Sequence, residues 1–157
     1  MKACDWVATD EHALQCELAV EVLHSSGTLR LGVRGWSMFP ALLPGDTLII
    51  EQTDSGAICP GDIVLFGRDG RFVVHRVVAK TAAEQSIQTR GDAMPRKDPP
   101  VSDRELLGKV VSIVRNGKCL KPRSKLNFAS RSVATLLGHS ETAARALVAV
   151  HGMLQSS

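Results

Sequence analysis

A serine, a histidine and two aspartates occur in this chain in an order that suits hydrolysis by a serine nucleophile. Ser37 ends an alternating apolar run and comes shortly before Pro40, while His75 interrupts a valine-rich run. Asp92 and Asp98 follow the histidine. A serine hydroxyl becomes a good nucleophile only when a base removes its proton, and an imidazole oriented by a carboxylate can be that base. The sequence therefore contains the parts of a serine hydrolase site.

Ser37 and His75 each have a structural explanation when they are taken alone. A serine with glycine and proline close by in the sequence is common in turns, and a histidine on a strand often serves only packing. Their order along β-rich segments favours the chemical interpretation. We therefore expect Ser37 Oγ and the His75 ring to lie close together, within hydrogen-bond reach or slightly beyond it.

Predicted strands position both residues, with Ser37 at a strand-to-turn junction and His75 on a strand. Apolar and polar residues alternate over 29–33, which indicates a half-buried strand leading to Ser37. The dipeptide Asp69-Gly70 separates two apolar runs at 63–66 and 72–78, as is typical of a β-hairpin. These two strands should pair antiparallel, so that His75 projects from one arm of the hairpin.

Turn signals followed by β-branched runs recur through the middle of the chain. Pro44-Gly45 and Pro60-Gly61 each join a proline of fixed φ to a glycine that accepts positive φ, as a type II turn requires. Further short strands are predicted over 86–89, 108–114 and 118–120. Many short strands at close intervals favour a mainly β, coiled antiparallel structure over a doubly wound one.

Helical patterns are confined to the two ends of the chain. From about 10 to 24, Leu14, Leu18 and Val22 recur every four positions, which predicts an amphipathic helix ending at Ser25-Ser26-Gly27. An alanine-rich helix is predicted over about 141–154, where it would pack on the domain or dock on a membrane or partner.

One domain of ordinary size is expected from a chain of 157 residues that is 44% apolar. The predicted division is a helical segment over 1–28, a β-rich domain over 29–121 and a second helical segment over 122–157.

Composition argues against several other functions. The net charge of +3 and the aromatic content of 4% provide little for binding nucleic acid, which needs a basic surface or stacking side chains. The cysteines show no C-x-x-C spacing and no nearby histidine pairs; they are Cys4, Cys16, Cys59 and Cys119. We therefore expect neither a metal site nor a redox motif, and no cofactor.

Charge and hydropathy also bear on the compartment. The stretch from Arg115 to Arg131 is basic without any acid, which suits peripheral contact with an anionic membrane or simply a solvated edge. The N-terminal residues are acidic rather than typical of a secretory signal. No segment approaches the roughly eighteen consecutive apolar residues of a spanning helix. A soluble, cytoplasmic protein is expected, with peripheral membrane contact as a variant.

Five linked motifs resemble the type I signal peptidase family. In order, they are Gly35-x-Ser37-Met38-x-Pro40, Gly45-Asp46, Pro60-Gly61-Asp62-Ile63-Val64, His75-Arg76-Val77, and Gly91-Asp92 with Asp98. Histidine, where most bacterial members carry lysine, is similar to the archaeal and endoplasmic-reticulum branch. The resemblance extends over roughly 29–117. It implies the coiled antiparallel β-structure shared by signal peptidases and self-cleaving repressor peptidases.

The resemblance also implies roles for the candidate residues. Ser37 would attack the scissile carbonyl, His75 would act as general base, and Asp98 would hold the imidazole. Asp92 is the alternative acid or a structural carboxylate. The Ser37 N–H would stabilise the oxyanion. Some relatives carry a hydroxyl donor at the position of Gly35, so a second donor must come from elsewhere in this chain.

Neighbouring residues are expected to support substrate binding. Met38, Phe39 and Gly35 are expected to contact substrate, with Met38 and Phe39 either walling the substrate cleft or packing in the core. Arg76 would pair with Asp62 or Asp92 or point to solvent. The resemblance implies an extended peptide substrate bound by strand addition, with small side chains near the cut.

The function implied is a signal peptidase-like serine endopeptidase that removes a leader or signal segment from a peptide or protein precursor. Family members normally have transmembrane anchors, which this sequence does not show, so a soluble precursor-processing enzyme is expected. Two alternatives stay open. One is a self-cleaving repressor-like regulator, and the other is a non-catalytic peptide-binding module of the same fold. The sequence does not predict the oligomeric state.

Overall fold

The computed structural model describes the backbone of residues 5–81 and 86–124, and side chains from Leu14 onward within those ranges. These ranges contain a helix, α1 (Asp5–Ser26), a short 3-10 turn (Ser55–Ala57) and eight strands. The strands are β1 (Thr28–Gly32), β2 (Thr47–Gln52), β3 (Ile63–Arg68), β4 (Arg71–Thr81), β5 (Ser86–Arg90), β6 (Val101–Ser102), β7 (Leu106–Arg115) and β8 (Lys118–Leu120). The predicted helix over 141–154 lies outside the described residues.

All strand pairs in the sheet are antiparallel. The order is β1-β2-β7-β3-β4-β5-β6, with β8 also pairing with β7. The register shifts at three places, between Ile49 and Ile50, between Leu65 and Phe66, and between Val77 and Ala79. Such irregularities bend and twist a sheet, which is how one sheet can coil around a core. The predicted mainly antiparallel β-fold is confirmed.

Strand β3 is buried on both faces and separates two apolar clusters. Ile63 and Leu65 pack on one face with Leu23 of α1, whereas Val64 and Phe66 pack on the other. This explains why β3 reads as a continuous apolar run rather than an alternating one. Each fully buried side chain of this size contributes about 1.5–3 kcal/mol of hydrophobic free energy, so β3 is the centre of the core.

The β3–β4 hairpin forms as predicted. Asp69 and Gly70 adopt φ values of 51° and 68°, the left-handed pair that a tight type I′ turn requires, and Arg68 pairs with Arg71. The register that follows places Val64 opposite His75. Because directly opposed residues share a face of the sheet, His75 lies on the second-cluster face of β4.

Helix α1 begins earlier than predicted and ends where predicted. The residue after Ser26 is Gly27, which has a φ of 71° and donates its N–H to the Leu23 carbonyl oxygen over 2.9 Å. A glycine in this left-handed conformation is a common helix C-terminus. No helix among residues 5–81 and 86–124 is both long enough and apolar enough to cross a membrane.

The apolar stripe predicted for α1 is not the face that packs. Leu14, Leu18 and Val22 are exposed, whereas Ala19 and Leu23 contact the first cluster. Residues one position apart on a helix differ by about 100° in direction. The stripe of Ala19 and Leu23 therefore faces the sheet, while the predicted stripe beside it faces solvent. A four-residue spacing alone cannot distinguish these two adjacent stripes.

A buried ion pair closes the loop that carries Ser37. Asp46, at the end of this loop, accepts hydrogen bonds from Arg115 Nε over 2.8 Å and from Arg115 Nη2 over 2.7 Å. Arg115 also donates to the Ala41 carbonyl oxygen, and the Leu43 N–H donates to Asp46. Hydrogen bonding to Asp46 raises the pKa of Arg115. Arg115 of β7 is therefore bonded both to Ala41, at the start of the turn after Ser37, and to Asp46, at its end.

Removing Arg115 should destabilise the fold. The Asp46 side chain is 2% exposed, so Arg115→Met leaves a buried carboxylate without its cation. We expect the free energy of unfolding to fall by about 2–3 kcal/mol, near the low end for a broken buried pair because Arg115 itself is 29% exposed. Urea titration provides the measurement. Arg30→Met, an exposed β1 residue, is the control and should change stability by less than about 0.5 kcal/mol. Equal losses in the two variants would contradict this role for the ion pair.

Candidate active site

His75 lies near the middle of β4 and is bonded to Asp98. Its Nδ1 atom is 2.7 Å from Asp98 Oδ2, and the imidazole is nearly buried. A carboxylate oxygen accepts hydrogen bonds, which places a proton on Nδ1 and, in the neutral ring, leaves the lone pair on Nε2. This is the tautomer that a general base requires.

Strand β5 holds Asp98 in this position. The Thr89 hydroxyl donates to Asp98 Oδ2 over 2.7 Å, and the Asp98 N–H donates to the Thr89 carbonyl oxygen over 2.9 Å. The Gln88 side-chain amide donates to the Asp98 carbonyl oxygen. Thr89 is fully buried and pairs with Val77, which lies two residues after His75. The side chains of Thr89 and His75 therefore lie on the same face of the sheet.

Thr89 was not among the residues singled out from the sequence. Its position opposite Val77 follows from a register that shifts before Ala79, and such a shift has no local signature. The sequence offered one signal for Thr89, a polar residue at the end of the short strand predicted over 86–89. Such a signal does not identify the partner of the side chain.

Gly91 places the Ser37 segment next to the histidine. A Cβ built on Gly91 would stand 2.6 Å from the Ser37 carbonyl oxygen, 2.7 Å from Met94 Cγ and 3.0 Å from His75 Nε2. The Ala93 N–H donates to the same Ser37 carbonyl oxygen over 2.9 Å. The Ser37 backbone and the unprotonated ring nitrogen therefore border one small space that only a glycine leaves open.

Ser37 is half-buried in the loop between β1 and β2. Among residues 5–81 and 86–124, neither its Oγ nor its N–H forms a hydrogen bond, so Oγ is not bonded to His75. Catalytic hydrogen bonds are often long or absent before substrate binds. The free N–H is the kind of donor that an oxyanion requires.

Asp92 pairs with Arg76 on the opposite face of β4. Arg76 Nε and Nη2 donate to the two carboxylate oxygens over 2.8 and 2.7 Å, and both side chains are buried. Arg76 also donates to the Gly61 carbonyl oxygen. Of the two partners expected for Arg76, Asp92 is the one observed, while Asp62 pairs with Lys109 over 2.9 Å. Adjacent strand residues point to opposite faces, so the carboxylate that pairs with Arg76 lies apart from the carboxylate that pairs with His75.

The residues expected to contact substrate are placed differently from one another. Met38 is 2% exposed and belongs to the first apolar cluster, so the structure places it in the core. Phe39 is half-buried, with its ring centre 6.1 Å from that of Trp36. Gly35 is exposed, and no atom lies within 4 Å of the position of an added Cβ.

A cleft of about 580 Å³ lies away from these residues. It is bordered by α1, by the β3–β4 turn and by the chain around Glu105, and neither Ser37, His75 nor Asp98 lines it. The candidate site lies between the Ser37 loop and β4, apart from this cleft.

The space at Gly91 should not tolerate a methyl group. Gly91→Ala would press against the Ser37 carbonyl oxygen, so we expect a loss of about 1–3 kcal/mol in unfolding free energy and shifted His75 ring resonances. Gly35→Ala is the matched control because open space surrounds its Cβ position. Urea titration and ¹⁵N–¹H spectra measure both effects. If Gly91→Ala leaves the His75 ring signals where they are in the parent, the close approach of the two segments is wrong.

The sequence of this chain also matches a protein family. Residues 1–111 match the family described as Peptidase S24-like, a span that includes Ser37, His75, Asp92 and Asp98. A search of curated proteins found no match. The family is one of serine peptidases in general, and the match does not single out the signal peptidase branch that the motifs resemble. Because the match extends over more than half of the chain, this protein belongs to the Peptidase S24-like family.

Proposed function

We propose that this protein is a serine endopeptidase that removes a leader or signal segment from a peptide or protein precursor, by the chemistry of the histidine-containing signal peptidase branch. The observation that carries the proposal is the His75–Asp98 bond of 2.7 Å, with Nε2 turned toward the space beside Ser37. A base, its orienting carboxylate and a free serine on neighbouring elements form the arrangement that nucleophilic catalysis needs.

The proposed reaction proceeds through an acyl-enzyme. Ser37 Oγ attacks the scissile carbonyl carbon while its proton passes to His75 Nε2, and Asp98 stabilises the imidazolium that forms. The Ser37 N–H, which donates to no residue that the structure describes, would bind the developing oxyanion. His75 then gives its proton to the leaving amine, and water removes the acyl group from Ser37 by the same route.

The two aspartates would have separate roles. Asp98 bonds to the base and would act on the reaction rate, whereas Asp92 has both oxygens occupied by Arg76 and would act on stability. Asp92 thus braces the loop that returns to Ser37 through Gly91 and Ala93. This division explains why two aspartates follow the histidine at short spacing.

The surface around Ser37 is consistent with an apolar peptide segment as substrate. Met94 is exposed and the Trp36–Phe39 pair is half-buried, so apolar atoms border both sides of the Ser37 segment.

Self-cleavage is the second candidate, favoured by the match to the Peptidase S24-like family. A self-cleaving protein would use the same Ser37 and His75 on a segment of its own chain. The two candidates differ in whether the bond that breaks belongs to a separate molecule.

A peptide pool with small residues at its centre tests the first candidate. The parent protein should cleave a subset of the pool, and mass spectrometry identifies the bonds. We expect no cleavage by Ser37→Ala, a rate reduced on the order of 10³-fold or more by Asp98→Asn, and a rate within about tenfold of the parent for folded Asp92→Asn. Cleavage by Ser37→Ala at the parent rate would disprove the assignment. A larger loss of rate in Asp92→Asn than in Asp98→Asn would reverse the two roles.

Incubation of the protein alone separates the alternatives. Self-cleavage would appear in intact mass spectra as two fragments, with a rate that does not depend on protein concentration. A folded parent that cleaves neither the pool nor itself would favour a non-catalytic peptide-binding module and count against both candidates.

A further inference from the structure

Arg68, the last residue of β3, reaches from the sheet to the segment that follows Asp98. Its guanidinium donates from Nη1 to the Pro99 carbonyl oxygen over 3.2 Å and from Nη2 to the Pro100 carbonyl oxygen over 2.9 Å. Proline has no N–H, so these carbonyls are the only backbone groups through which the dipeptide can form hydrogen bonds. Arg68 binds both of them and thereby fixes the chain directly after Asp98.

The Arg68 guanidinium is itself held from two directions. Nε donates to Glu105 Oε1 over 2.8 Å, and the guanidinium carbon lies 5.3 Å from the centre of the Phe66 ring. Glu105 also accepts hydrogen bonds from the Ser102 N–H and hydroxyl. The Ser102 N–H, and after it Arg68, lowers the pKa of Glu105, so this carboxylate is ionised at neutral pH. The arginine therefore has a fixed direction.

Phe66 connects the same arginine to the histidine. The edge of one ring faces the other, with the centres of the Phe66 and His75 rings 6.3 Å apart. Arg68 therefore contacts two groups that lie next to the histidine or its partner. One is the Phe66 ring, and the other is the segment directly after Asp98. Strand β5 holds Asp98 from the opposite side through Thr89.

We propose that Arg68 is a positioning residue for His75. By anchoring Pro99 and Pro100, it keeps Asp98 Oδ2 on the Nδ1 proton, which leaves the Nε2 lone pair facing Ser37. Without this anchor, the Asp98–His75 bond forms only part of the time and the ring populates both neutral tautomers. The consequence for catalysis rests on the proposed function, whereas the effect on the imidazole does not.

Three variants separate positioning from charge and from general surface effects. Arg68→Met keeps the aliphatic stem and removes every donor, while Arg68→Lys restores the charge and a donor. Arg71→Met is the matched control, because Arg71 is exposed, faces Arg68 across the hairpin and forms no side-chain hydrogen bond with the residues that the structure describes.

Ring ¹⁵N–¹H spectra give the direct readout, with the His75 signals identified by their loss in His75→Gln. The parent and Arg71→Met should show His75 protonated at Nδ1 alone. Folded Arg68→Met should show signals averaged between the two tautomers, and Arg68→Lys should lie between these cases. A parent-like tautomer in folded Arg68→Met would overturn the proposal. If Arg68→Met does not fold, a parent-like tautomer in Arg68→Lys would overturn it equally.

Peptide cleavage gives the second readout. With a peptide that the parent cleaves, Arg68→Met should lower kcat by about 10- to 100-fold while KM stays within about twofold, and Arg68→Lys should recover part of the loss. An unchanged kcat would reject a catalytic consequence. A parent that cleaves no peptide, but whose His75 tautomer depends on Arg68, would reject the proposed function and leave the positioning role intact.

Discussion

The pairing register of β3 and β4 is the constraint on which the site depends. Successive side chains of a strand point to opposite faces, so a slip of one residue would exchange the surroundings of His75 and Arg76. The Asp69-Gly70 turn fixes this register locally, and the burial of β3 on both faces fixes it again through packing. The correct register leaves the histidine on the face that Asp98 reaches and the arginine on the face that Asp92 reaches.

The two carboxylates illustrate how surroundings divide chemically identical groups. Asp92 has a buried, bidentate arginine partner, an arrangement that fixes geometry and occupies both oxygens. Asp98 accepts hydrogen bonds from the Thr89 hydroxyl and the imidazole and stays partly open to solvent. A carboxylate beside a histidine can stabilise a transient imidazolium, whereas one already neutralised by arginine has little to offer. The groups suited to acid–base chemistry therefore lie on one face of β4.

The sequence predicted those features that depend on local signals. The hairpin at Gly70 is an example, because turn chemistry and strand periodicity act over few residues. The pairing of His75 with Asp98 has no such local signal, and it was expected from the family resemblance. The sequence did not predict which side of α1 packs through Leu23, since adjacent helical stripes look alike in a pattern. It also missed Thr89 and Arg68, whose partners are set by a register shift and by a proline segment distant in the chain.

The central claim is that Ser37 is a nucleophile activated by His75, and an acyl-enzyme would show this most directly. A peptide ester with alanine on the acyl side of the ester bond can be mixed with the protein, quenched in acid and analysed by intact and peptide mass spectrometry. The account predicts an added acyl group on Ser37 in the parent, little in His75→Gln and none in Ser37→Ala. The account would be contradicted if Ser37→Ala hydrolysed the ester without forming an adduct. It would also be contradicted if the adduct in the parent lay on another residue.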